Sequence, residues 1–426
     1  MLRRDFLLQA GATGLAAAAT DRTVRIGVVG VGSRGTALLR TLLELPGVEV
    51  PAICDVHEET LARALNLVEK TGRKRPVGYF GGPKDFRRLV ARNDLEAVRN
   101  ATPWEWHTPI AVATMRAGKY AAVEVPAAVT VEECWELVET SEKTGKPCMM
   151  LENACYFRNV LAVLNMVRQG VFGELLHCEC GYQHDVLRYR QIGSDGKLTW
   201  RAQHALVRNG NLYPTHPMGP VAWWMNIHRG DRFTYLTSMS TRSRGLNLAA
   251  ARQFGADHEN AKRQFALGDI NTTLIQTAKG LTVTLYFDWQ SPRPYDLIFR
   301  VQGTRGIYSG TLEKIYIEDP AHPGNHAWED PARYYEKYQH SLWKSLGATA
   351  MKYGHNGGDY MTLQQFVKAV RNKTQTPIDV YDSAAWSVIG PLTERSVGAK
   401  SAPVDFPDFT RGQWEKLRPV EITEGG

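Results

Sequence analysis

The stretch VRIGVVGVGSRGTALLRTLLEL, residues 24–45, decides the fold of this 426-residue chain. Residues 24–30 form an apolar run of strand length, and Gly30, Gly32 and Gly35 complete the pattern G-x-G-x-x-G directly after it. The residues that follow repeat apolar side chains at helical spacings of three and four. A strand, a glycine-rich turn and a helix in this order predict the first unit of a doubly wound α/β sheet.

The same alternation of strands and helices continues to about residue 150. The predicted buried parallel strands are VRIGVVG, VEVPAICD, the run up to Ala101 and YAAVEV. The predicted crossover helices are TALLRTLLEL, EETLARALNLVEK, PIAVATMRAG and VEECWELVETSEKTG. Arg99 and Asn100 interrupt the third strand, where a polar side chain is costly unless it is paired. We therefore predict a parallel-sheet domain over residues 21–152, with the packing of its third strand in question.

From residue 147 onward the pattern changes to longer β-rich segments. Predicted strands lie in LLHCECGYQHD, RFTYLTSMST, INTTLIQTAKG, LTVTLYFDWQ and DLIFRVQGT. Helices are predicted at NVLAVLNMVRQ and in the regions 359–372 and 382–396, and the stretch 319–334 is rich in loop residues. The chain is thus predicted to be α/β, with a second, α+β domain over residues 153–426 that contains a mostly antiparallel open sheet.

The glycine-rich turn carries the first chemical signal. Its glycines would allow a tight turn and a close approach of the backbone to a pyrophosphate, which the helix N-terminus next to Ser33 would bind. Asp55 ends the next strand, 23 residues after Gly32, where a carboxylate can accept a hydrogen bond from a ribose hydroxyl. A carboxylate there repels a 2′-phosphate and favours NAD, although Arg34 beside the turn leaves NADP open. The alternative is a turn that only packs the helix on the sheet.

Composition excludes several classes of protein. Hydrophobic residues make up 43% and charged residues 22% of the chain, which is typical of a globular protein and excludes intrinsic disorder and a polytopic membrane protein. The formal net charge is +7, but the basic residues are scattered rather than gathered on one stretch. We expect no nucleic-acid partner, because such binding needs a concentrated basic face.

The first twenty residues resemble a twin-arginine export signal. Arg3 and Arg4 precede a weakly apolar stretch rich in alanine and glycine, which ends in small residues near Ala17 to Ala19. The alternative is an ordinary amphipathic helix. An export signal over residues 1–20 implies the twin-arginine export machinery as a partner and a periplasmic or extracellular location. Proteins exported by this route are already folded, so a cofactor would leave the cytoplasm inside the protein.

Cysteine and histidine spacing indicates neither disulfides nor a metal site. The six cysteines form no C-x-x-C pair, and we predict that most are buried thiols. Cys178 and Cys180 lie on one face of a predicted strand near the limit of disulfide reach, and we expect no bridge between them. The histidines show no metal-ligand spacing, so no metal is expected.

Three further motifs carry a family resemblance. ATPWEWH (101–107), AVEVPAAVT (122–130) and GNLYPTHPMGPV (210–221) occur in this order, with SPRPYD and VDFPDFTRGQW further on. With them the chain resembles glycoside hydrolase family 109, the NAD-dependent glycosidases typified by α-N-acetylgalactosaminidase, within the Gfo/Idh/MocA oxidoreductase superfamily. The sugar dehydrogenases of that superfamily have a Glu-Lys-Pro tripeptide whose lysine helps to deprotonate the alcohol. Here Val125 stands between Glu124 and Pro126, as in the glycosidase branch.

The resemblance implies an NAD-dependent glycosidase mechanism. Transient oxidation at carbon three of the sugar acidifies the hydrogen at carbon two, the aglycone leaves by elimination, water adds and the ketone is reduced again. Net redox change is absent, so NAD would stay bound between turnovers. The alternatives are a net sugar oxidoreductase and a non-catalytic sugar-binding protein with structural NAD. The exact sugar and anomer, the aglycone and a homo-oligomeric state remain open.

The resemblance also implies roles for individual residues. His216 is the first candidate for the general base or acid, and Tyr213 and Tyr182 are the other catalytic candidates. The implied cofactor-binding set is Gly30, Gly32, Ser33, Arg34, Gly35, Asp55, Trp104, Glu105, His107, Glu124, Val125, Asn153 and Tyr213. The implied substrate-binding set is Glu152, Tyr182, Arg201, Tyr213, Pro214, Thr215, His216 and Tyr295. The stretch GHNGGD (354–359) departs from the expected glycine-rich run, so His355 and Asp359 receive no role.

Overall fold

The computed structural model describes residues 22–187, 191–321, 326–416 and 420–422. The predicted export signal, residues 1–20, lies outside these described residues. Within them, no helix is both long and apolar enough to cross a membrane.

A parallel sheet of six strands, counted over the described residues, fills the first third of the chain. Its strand order is β3-β2-β1-β4-β5-β6, which confirms the predicted doubly wound sheet and is the order of a Rossmann fold. The strands are β1 (Val24–Val29), β2 (Val48–Cys54), β3 (Val77–Tyr79), β4 (Ala97–Asn100), β5 (Tyr120–Val123) and β6 (Cys148–Met150). The helices are α1 (Ser33–Glu44), α2 (Glu58–Lys70), α3 (Phe86–Val90), α4 (His107–Arg116) and α5 (Val131–Thr144).

The two polar residues of β4 are buried and paired. The Arg99 guanidinium donates to the carbonyl oxygens of Gly30 and Gly35, at 3.2 and 2.9 Å. The Asn100 amide lies within 3.3 Å of the carbonyl oxygens at the start of α4. Burial lowers the pKa of Arg99 to about 10. The predicted strand that ends near Ala101 is β4 of the structure. It forms as predicted, because its polar side chains bind the backbone of the glycine-rich turn and of the next helix.

A second, mixed sheet makes the C-terminal part α+β. Its eight strands, among the residues described, follow the order β13-β12-β11-β7-β10-β9-β8-β14, and the pairs are antiparallel except β10 with β7. The mostly antiparallel open sheet is thus confirmed. Its strands are β7 (Leu175–Gln183), β8 (Phe233–Ser240), β9 (Ile270–Thr277), β10 (Thr282–Asp288), β11 (Arg300–Gly303), β12 (Gly306–Ser309), β13 (Lys314–Ile317) and β14 (Val404–Asp405).

Helices of the C-terminal part pack on this sheet and against the parallel sheet. They are α6 (Arg158–Arg168), α7 (Trp200–Val207), α8 (Thr215–Trp224), α9 (Gly245–Phe254), α10 (Glu259–Lys262), α11 (Ala332–Lys337), α12 (Ser341–Ala350), α13 (Gly358–Asn372), α14 (Val380–Ser387) and α15 (Ile389–Gly398). Short 3-10 turns span Trp104–Trp106, Asn153–Tyr156 and Gln413–Glu415. The single helix predicted over 382–396 is two helices, because Pro391 has no N–H to donate to the carbonyl of Ser387.

Several residues that the sequence left without a role belong to the buried core. All six cysteines are buried and have free thiols. Trp223 and Trp224, in the aromatic stretch at the end of α8, are 1% and 0% exposed and belong to the core. Both tryptophans are therefore too deeply buried to form a binding surface.

Candidate functional site

The three glycines of the first turn have different surroundings. Gly30 has a φ of +79°, and a Cβ added there would lie 2.7 Å from the backbone carbonyl of Ala101. A Cβ on Gly35 would lie 2.1 Å from the Gly30 carbonyl oxygen, so this residue sets the contact between α1 and β1. A Cβ on Gly32 would meet no atom within 4 Å. The turn is thus closed on its inner side and open on the side where a pyrophosphate would approach.

The open side of the turn meets the N-terminus of α1 and the end of β2. Gly32 is the N-cap of α1 and supplies no side-chain cap, so the first N–H groups of the helix are available to an anion. The Asp55 carboxylate is fixed by two backbone N–H donors, from Val31 at 2.8 Å and from His57 at 2.9 Å. Each oxygen keeps a further lone pair for a ribose hydroxyl. This donor and acceptor set fits the pyrophosphate and ribose of NAD.

Arg34 does not present a free cation to a phosphate. Its Nε donates to Glu124 Oε1 at 2.9 Å, and its two terminal nitrogens donate to Asp359 at 2.6 and 2.8 Å. Burial opposes the charge, but these carboxylates raise the pKa of Arg34 above its ordinary value. Two carboxylates therefore already neutralise this guanidinium, which weakens the case for a 2′-phosphate contact from Arg34.

The three candidate residues of the loop after β4 have different surroundings. Trp104 is 2% exposed and forms the centre of an aromatic cluster. Glu105 is half-exposed and lies 3.9 Å from His204 Nε2, which holds the pKa of the Glu105 carboxyl below its ordinary value. His107 is buried, and its two ring nitrogens lie 2.6 and 2.9 Å from the carbonyl oxygens of Pro126 and Thr102. His107 therefore positions the loop and offers no ring nitrogen to a cofactor.

The ends of β5 and β6 bring their candidates to the same edge of the sheet. Glu124 is 7% exposed and accepts from Arg34, and Val125 is 2% exposed beside it. Asn153 follows β6 and donates from Nδ2 to Asp359 Oδ1 at 2.7 Å. Parallel strands have their carboxyl ends at one edge, which is where ligands bind in such sheets. The predicted cofactor residues of these two strands thus line the crevice near the glycine turn.

His216 and Glu152 form a short polar contact in the site. His216 Nδ1 lies 2.6 Å from Glu152 Oε1, and the Glu152 side chain is fully buried. A carboxylate only accepts, so Nδ1 carries the hydrogen, and in the neutral imidazole the lone pair is on Nε2. Glu152 Oε1 also accepts from the Ala154 N–H at 3.0 Å, which fixes the carboxylate. The pair is thus arranged to leave Nε2 of His216 as a base.

Two tyrosine rings enclose His216. The Tyr182 ring stacks on the imidazole with ring centroids 5.7 Å apart, and the Tyr213 ring meets it edge-on at 5.1 Å. The Tyr182 hydroxyl lies 3.2 Å from Nδ1 of His184, a histidine to which sequence reasoning gave no role. The three residues that the resemblance marks as catalytic are therefore in mutual contact, with His184 behind one of them.

Arg201 lies in a cage of aromatic rings. Its guanidinium carbon is 4.9 Å from the ring centres of Trp104 and Trp200, 5.0 Å from that of Tyr213 and 5.5 Å from that of Trp289. The residue is 8% exposed, and no carboxylate among the described residues lies within ion-pair distance of it. The ring faces stabilise the buried cation without neutralising it. Its N–H groups remain suited to an oxygen of a ligand.

The remaining substrate candidates lie around this group. Tyr295 is half-exposed, and its ring is 6.1 Å from that of Tyr182 and 4.8 Å from that of His184. Pro214 and Thr215 are buried at the start of α8 and fix the backbone that carries His216. The exposed Tyr295 is therefore the candidate at the rim of the site, and Pro214 and Thr215 stay predicted substrate-binding residues, buried next to His216.

Sequence reasoning missed three members of the site. Trp289 follows β10 and contributes to the cage of Arg201, His184 contacts Tyr182, and Asp359 binds both Arg34 and Asn153. A metal centre is not among the features found, since no group of three potential ligands is close enough to hold an ion in the described part of the chain.

Comparison with known proteins finds a matching family for each of the two halves of the chain. Residues 24–152 match the oxidoreductase family with an NAD-binding Rossmann fold, and residues 156–416 match the C-terminal domain of glycosyl hydrolase 109. A glycosyl hydrolase family 109 protein of Shewanella sp. (strain W3-18-1) is 47% identical over 94% of this chain and 88% of its own length. The corresponding protein of Shewanella putrefaciens (strain CN-32 / ATCC BAA-453) is 48% identical with the same coverage.

Solved structures with the same fold include sugar oxidoreductases. Levoglucosan dehydrogenase in complex with NADH and levoglucosan superposes with a TM-score of 0.68 at 19% identity, over 91% of this chain and all of its own. The aldose-aldose oxidoreductase from Caulobacter crescentus, complexed with glycerol, gives 0.65 at 16% identity, over 90% of this chain and all of its own. At this identity the likeness establishes the fold. With the glycine turn and the match of residues 24–152, NAD is the cofactor of the N-terminal domain.

Proposed function

Because the chain belongs to glycosyl hydrolase family 109, we propose that it hydrolyses terminal N-acetylhexosaminides with NAD as cofactor, most of all α-linked N-acetylgalactosamine. The observation that carries this proposal is the hydrogen bond between His216 and the buried Glu152, which leaves one imidazole nitrogen as a base. Glu152 follows β6 and therefore lies at the carboxyl-terminal edge of the parallel sheet, the edge at which the glycine turn follows β1. A general base, a nicotinamide and a sugar can therefore meet in one crevice.

NAD bound at the glycine turn would supply reversible hydride-acceptor chemistry for oxidation at carbon three of the sugar, with the hydroxyl proton of that carbon passing to solvent and returning on reduction. The residues of the chain would carry out the proton transfers that this makes possible. His216 Nε2 removes the hydrogen at carbon two, which a neighbouring ketone makes acidic. Glu152 stabilises the imidazolium that results, since its carboxylate already accepts the Nδ1 hydrogen. The glycosidic oxygen leaves carbon one as the double bond forms, and water then adds to the same carbon.

Two tyrosines and one arginine would hold the sugar. Tyr182 packs on His216 and can supply a hydroxyl proton to the departing oxygen, with His184 as its own partner. Arg201 would donate to sugar oxygens from within its aromatic cage, and Tyr295 would cover the sugar from the rim. Tyr213 separates the cage from His216 and would contact both sugar and nicotinamide.

Val125 supports hydrolysis over net oxidation. It lies buried at the end of β5, next to Glu124, and its isopropyl group moves no proton. A dehydrogenase of this fold would use a lysine there to deprotonate the alcohol. The second candidate, a net sugar oxidoreductase, shares the fold of the solved neighbours, and in either reaction the hydroxyl proton at carbon three would need an acceptor other than residue 125.

We also propose that the twin-arginine signal at residues 1–20 exports the folded, NAD-loaded protein. The support is the paired Arg3 and Arg4 before an alanine-rich stretch. Replacing both arginines with lysine should keep the protein in the cytoplasm, as measured by fractionation of the producing cells. Unchanged export of the double variant would contradict this proposal.

Incubation of the purified protein with 4-nitrophenyl N-acetylhexosaminides tests the proposed function. With no NAD added, we expect many turnovers per enzyme and release of nitrophenol, fastest with the α-linked N-acetylgalactosaminide. NADH should not accumulate. Turnover that depends on added NAD, with one NADH formed per sugar, would instead establish the sugar oxidoreductase.

A further inference from the structure

Helix α13 belongs to the C-terminal part of the chain but lies against the NAD-binding domain. It packs on α1, the helix that follows the glycine turn, and also contacts β1. Hydrogen bonds join its two ends to that domain. The N-terminal end carries Asp359, and the C-terminal end carries Arg371, about 18 Å away along the helix.

At the C-terminal end, the contacts involve backbone carbonyl groups away from the crevice. Arg371 donates to the carbonyl oxygens of Arg22 and Pro46, at 3.0 and 2.6 Å. Arg22 in turn donates to the carbonyl oxygen of Val370 at 3.0 Å. These contacts fix the helix on the domain without involving the residues around the glycine turn.

At the N-terminal end, the contact is an ion pair beside the glycine turn. Arg34 Nη1 and Nη2 donate to the two oxygens of Asp359, at 2.6 and 2.8 Å, and the Asp359 side chain is 3% exposed. Asn153 donates to Asp359 at 2.7 Å, and His355 lies 2.9 Å from it. Bidentate, charge-assisted pairs of this kind are the strong ones. Burial opposes ionisation, but His355 and Arg34 hold the pKa of Asp359 well below its ordinary value.

The same guanidinium connects three elements of the crevice wall. Arg34 is the second residue of α1 and also donates to Glu124, at the end of β5. Asn153, which donates to Asp359, follows β6. A dinucleotide in a Rossmann domain lies across these strand ends. Because Arg34 and Asp359 join α1 to α13, any movement of α13 away from the NAD-binding domain must break their ion pair.

We propose that Arg34 and Asp359 form a clasp between the NAD-binding domain and helix α13 that retains the cofactor through successive turnovers. The inference rests on the proposed function, in which NAD ends each cycle in its starting state and need never dissociate. Asp359 touches neither sugar nor reacting atoms in this account and is a positioning residue. Slow release would also keep the cofactor in a protein that works where NAD is scarce.

Release of NAD from the purified holoenzyme tests the clasp. The protein is diluted into ethanol and alcohol dehydrogenase, which convert each released NAD to fluorescent NADH. Asp359→Asn keeps the shape and loses the charge, and its release should be about tenfold or more faster than that of the wild type. The matched control is Arg371→Gln, at the other end of α13, whose release should stay within about twofold.

Two results would overturn the clasp. One is a wild-type release rate in Asp359→Asn, and the other is equal acceleration by Arg371→Gln, which would indicate general loosening of the helix. If Asp359→Asn does not fold, Asp359→Glu replaces it, because glutamate keeps the charge but shifts the carboxylate out of its bidentate position on Arg34. Faster release from Asp359→Glu supports the clasp, and an unchanged rate contradicts it.

The same data separate the clasp from the proposed function. A wild-type protein that loses NAD within one turnover and needs added NAD would refute the glycosidase cycle. The ratio of variant to wild-type release rates would still report on the clasp. Melting temperatures of the NAD-free proteins show whether each variant is folded.

Discussion

Glu152→Gln is the change that most sharply probes the His216 base. Glutamine has the size of glutamate, and its carbonyl oxygen can still accept from the Ala154 N–H that now lies 3.0 Å from Glu152. Its amide, however, can donate to Nδ1 of His216, which would move the ring hydrogen to Nε2. The nitrogen that should act as a base would then carry a proton and be unable to accept one.

The size of the effect follows from the contact that is lost. Glu152 is fully buried, and its 2.6 Å bond to His216 involves a full negative charge. A hydrogen bond to a charged group contributes about 1.5–3 kcal/mol, which corresponds to a fall in kcat of about tenfold to 150-fold. The KM should change little, because Glu152 acts through His216 rather than on the sugar in this account.

The assay is release of nitrophenol from the 4-nitrophenyl α-N-acetylgalactosaminide, with bound NAD measured in the same preparation. We expect unchanged NAD content and a melting temperature near that of the wild type. Glu136→Gln, which removes one partner of the exposed ion pair with Arg116, is the matched control and should leave kcat unchanged. A kcat of Glu152→Gln within twofold of the wild type would refute the assignment of His216 as the base that Glu152 orients.

Three further predictions concern the base, the glycine turn and the clasp. His216→Asn should lower kcat by about 10²- to 10⁴-fold with NAD content unchanged, and loss of NAD instead would show a structural role. Gly35→Ala should lower the free energy of unfolding by about 1–3 kcal/mol, because its Cβ would meet the Gly30 carbonyl. Gly32→Ala should leave the stability of the NAD-free protein unchanged and should weaken NAD binding, as measured by calorimetry. The pKa of Asp359 is lower in the folded protein than in the unfolded chain. The Asp359 carboxylate should therefore contribute about 1–3 kcal/mol to the free energy of unfolding above about pH 5, and this contribution should decline as the pH falls below about 4. The difference in urea stability between wild type and Asp359→Asn should shrink in that window, and a constant difference would contradict it.

The parts of the fold that sequence predicts well are those set by local pattern. The apolar run of β1, the glycine turn and the amphipathic α1 need only neighbouring residues to form, and the structure has them as predicted. Arg99 contradicted the pattern of a buried strand because its partners are the carbonyl oxygens of Gly30 and Gly35, some 65 residues away. Such a pairing exists only after the sheet has formed, so the sequence alone could not show it.

The same distinction between local pattern and long-range contact applies to the site. The motifs that carry the family resemblance pointed to His216, and the structure brings it into contact with Tyr182 and Tyr213. The resemblance did not indicate Trp289 or Asp359, because each acts through a residue far away in sequence. Asp359 lies 325 positions from Arg34, and no spacing rule connects a helix start in one domain with a glycine turn in another.

Hydrolysis in heavy water tests the central claim most directly. The purified protein, with no NAD added, is given an N-acetylhexosaminide that it cleaves, and the released sugar is analysed by mass spectrometry and proton NMR. The account predicts one deuterium bonded to carbon two, because His216 removes that hydrogen and solvent replaces it. Released sugar that retains its original hydrogen at carbon two would contradict the account and indicate direct displacement at carbon one.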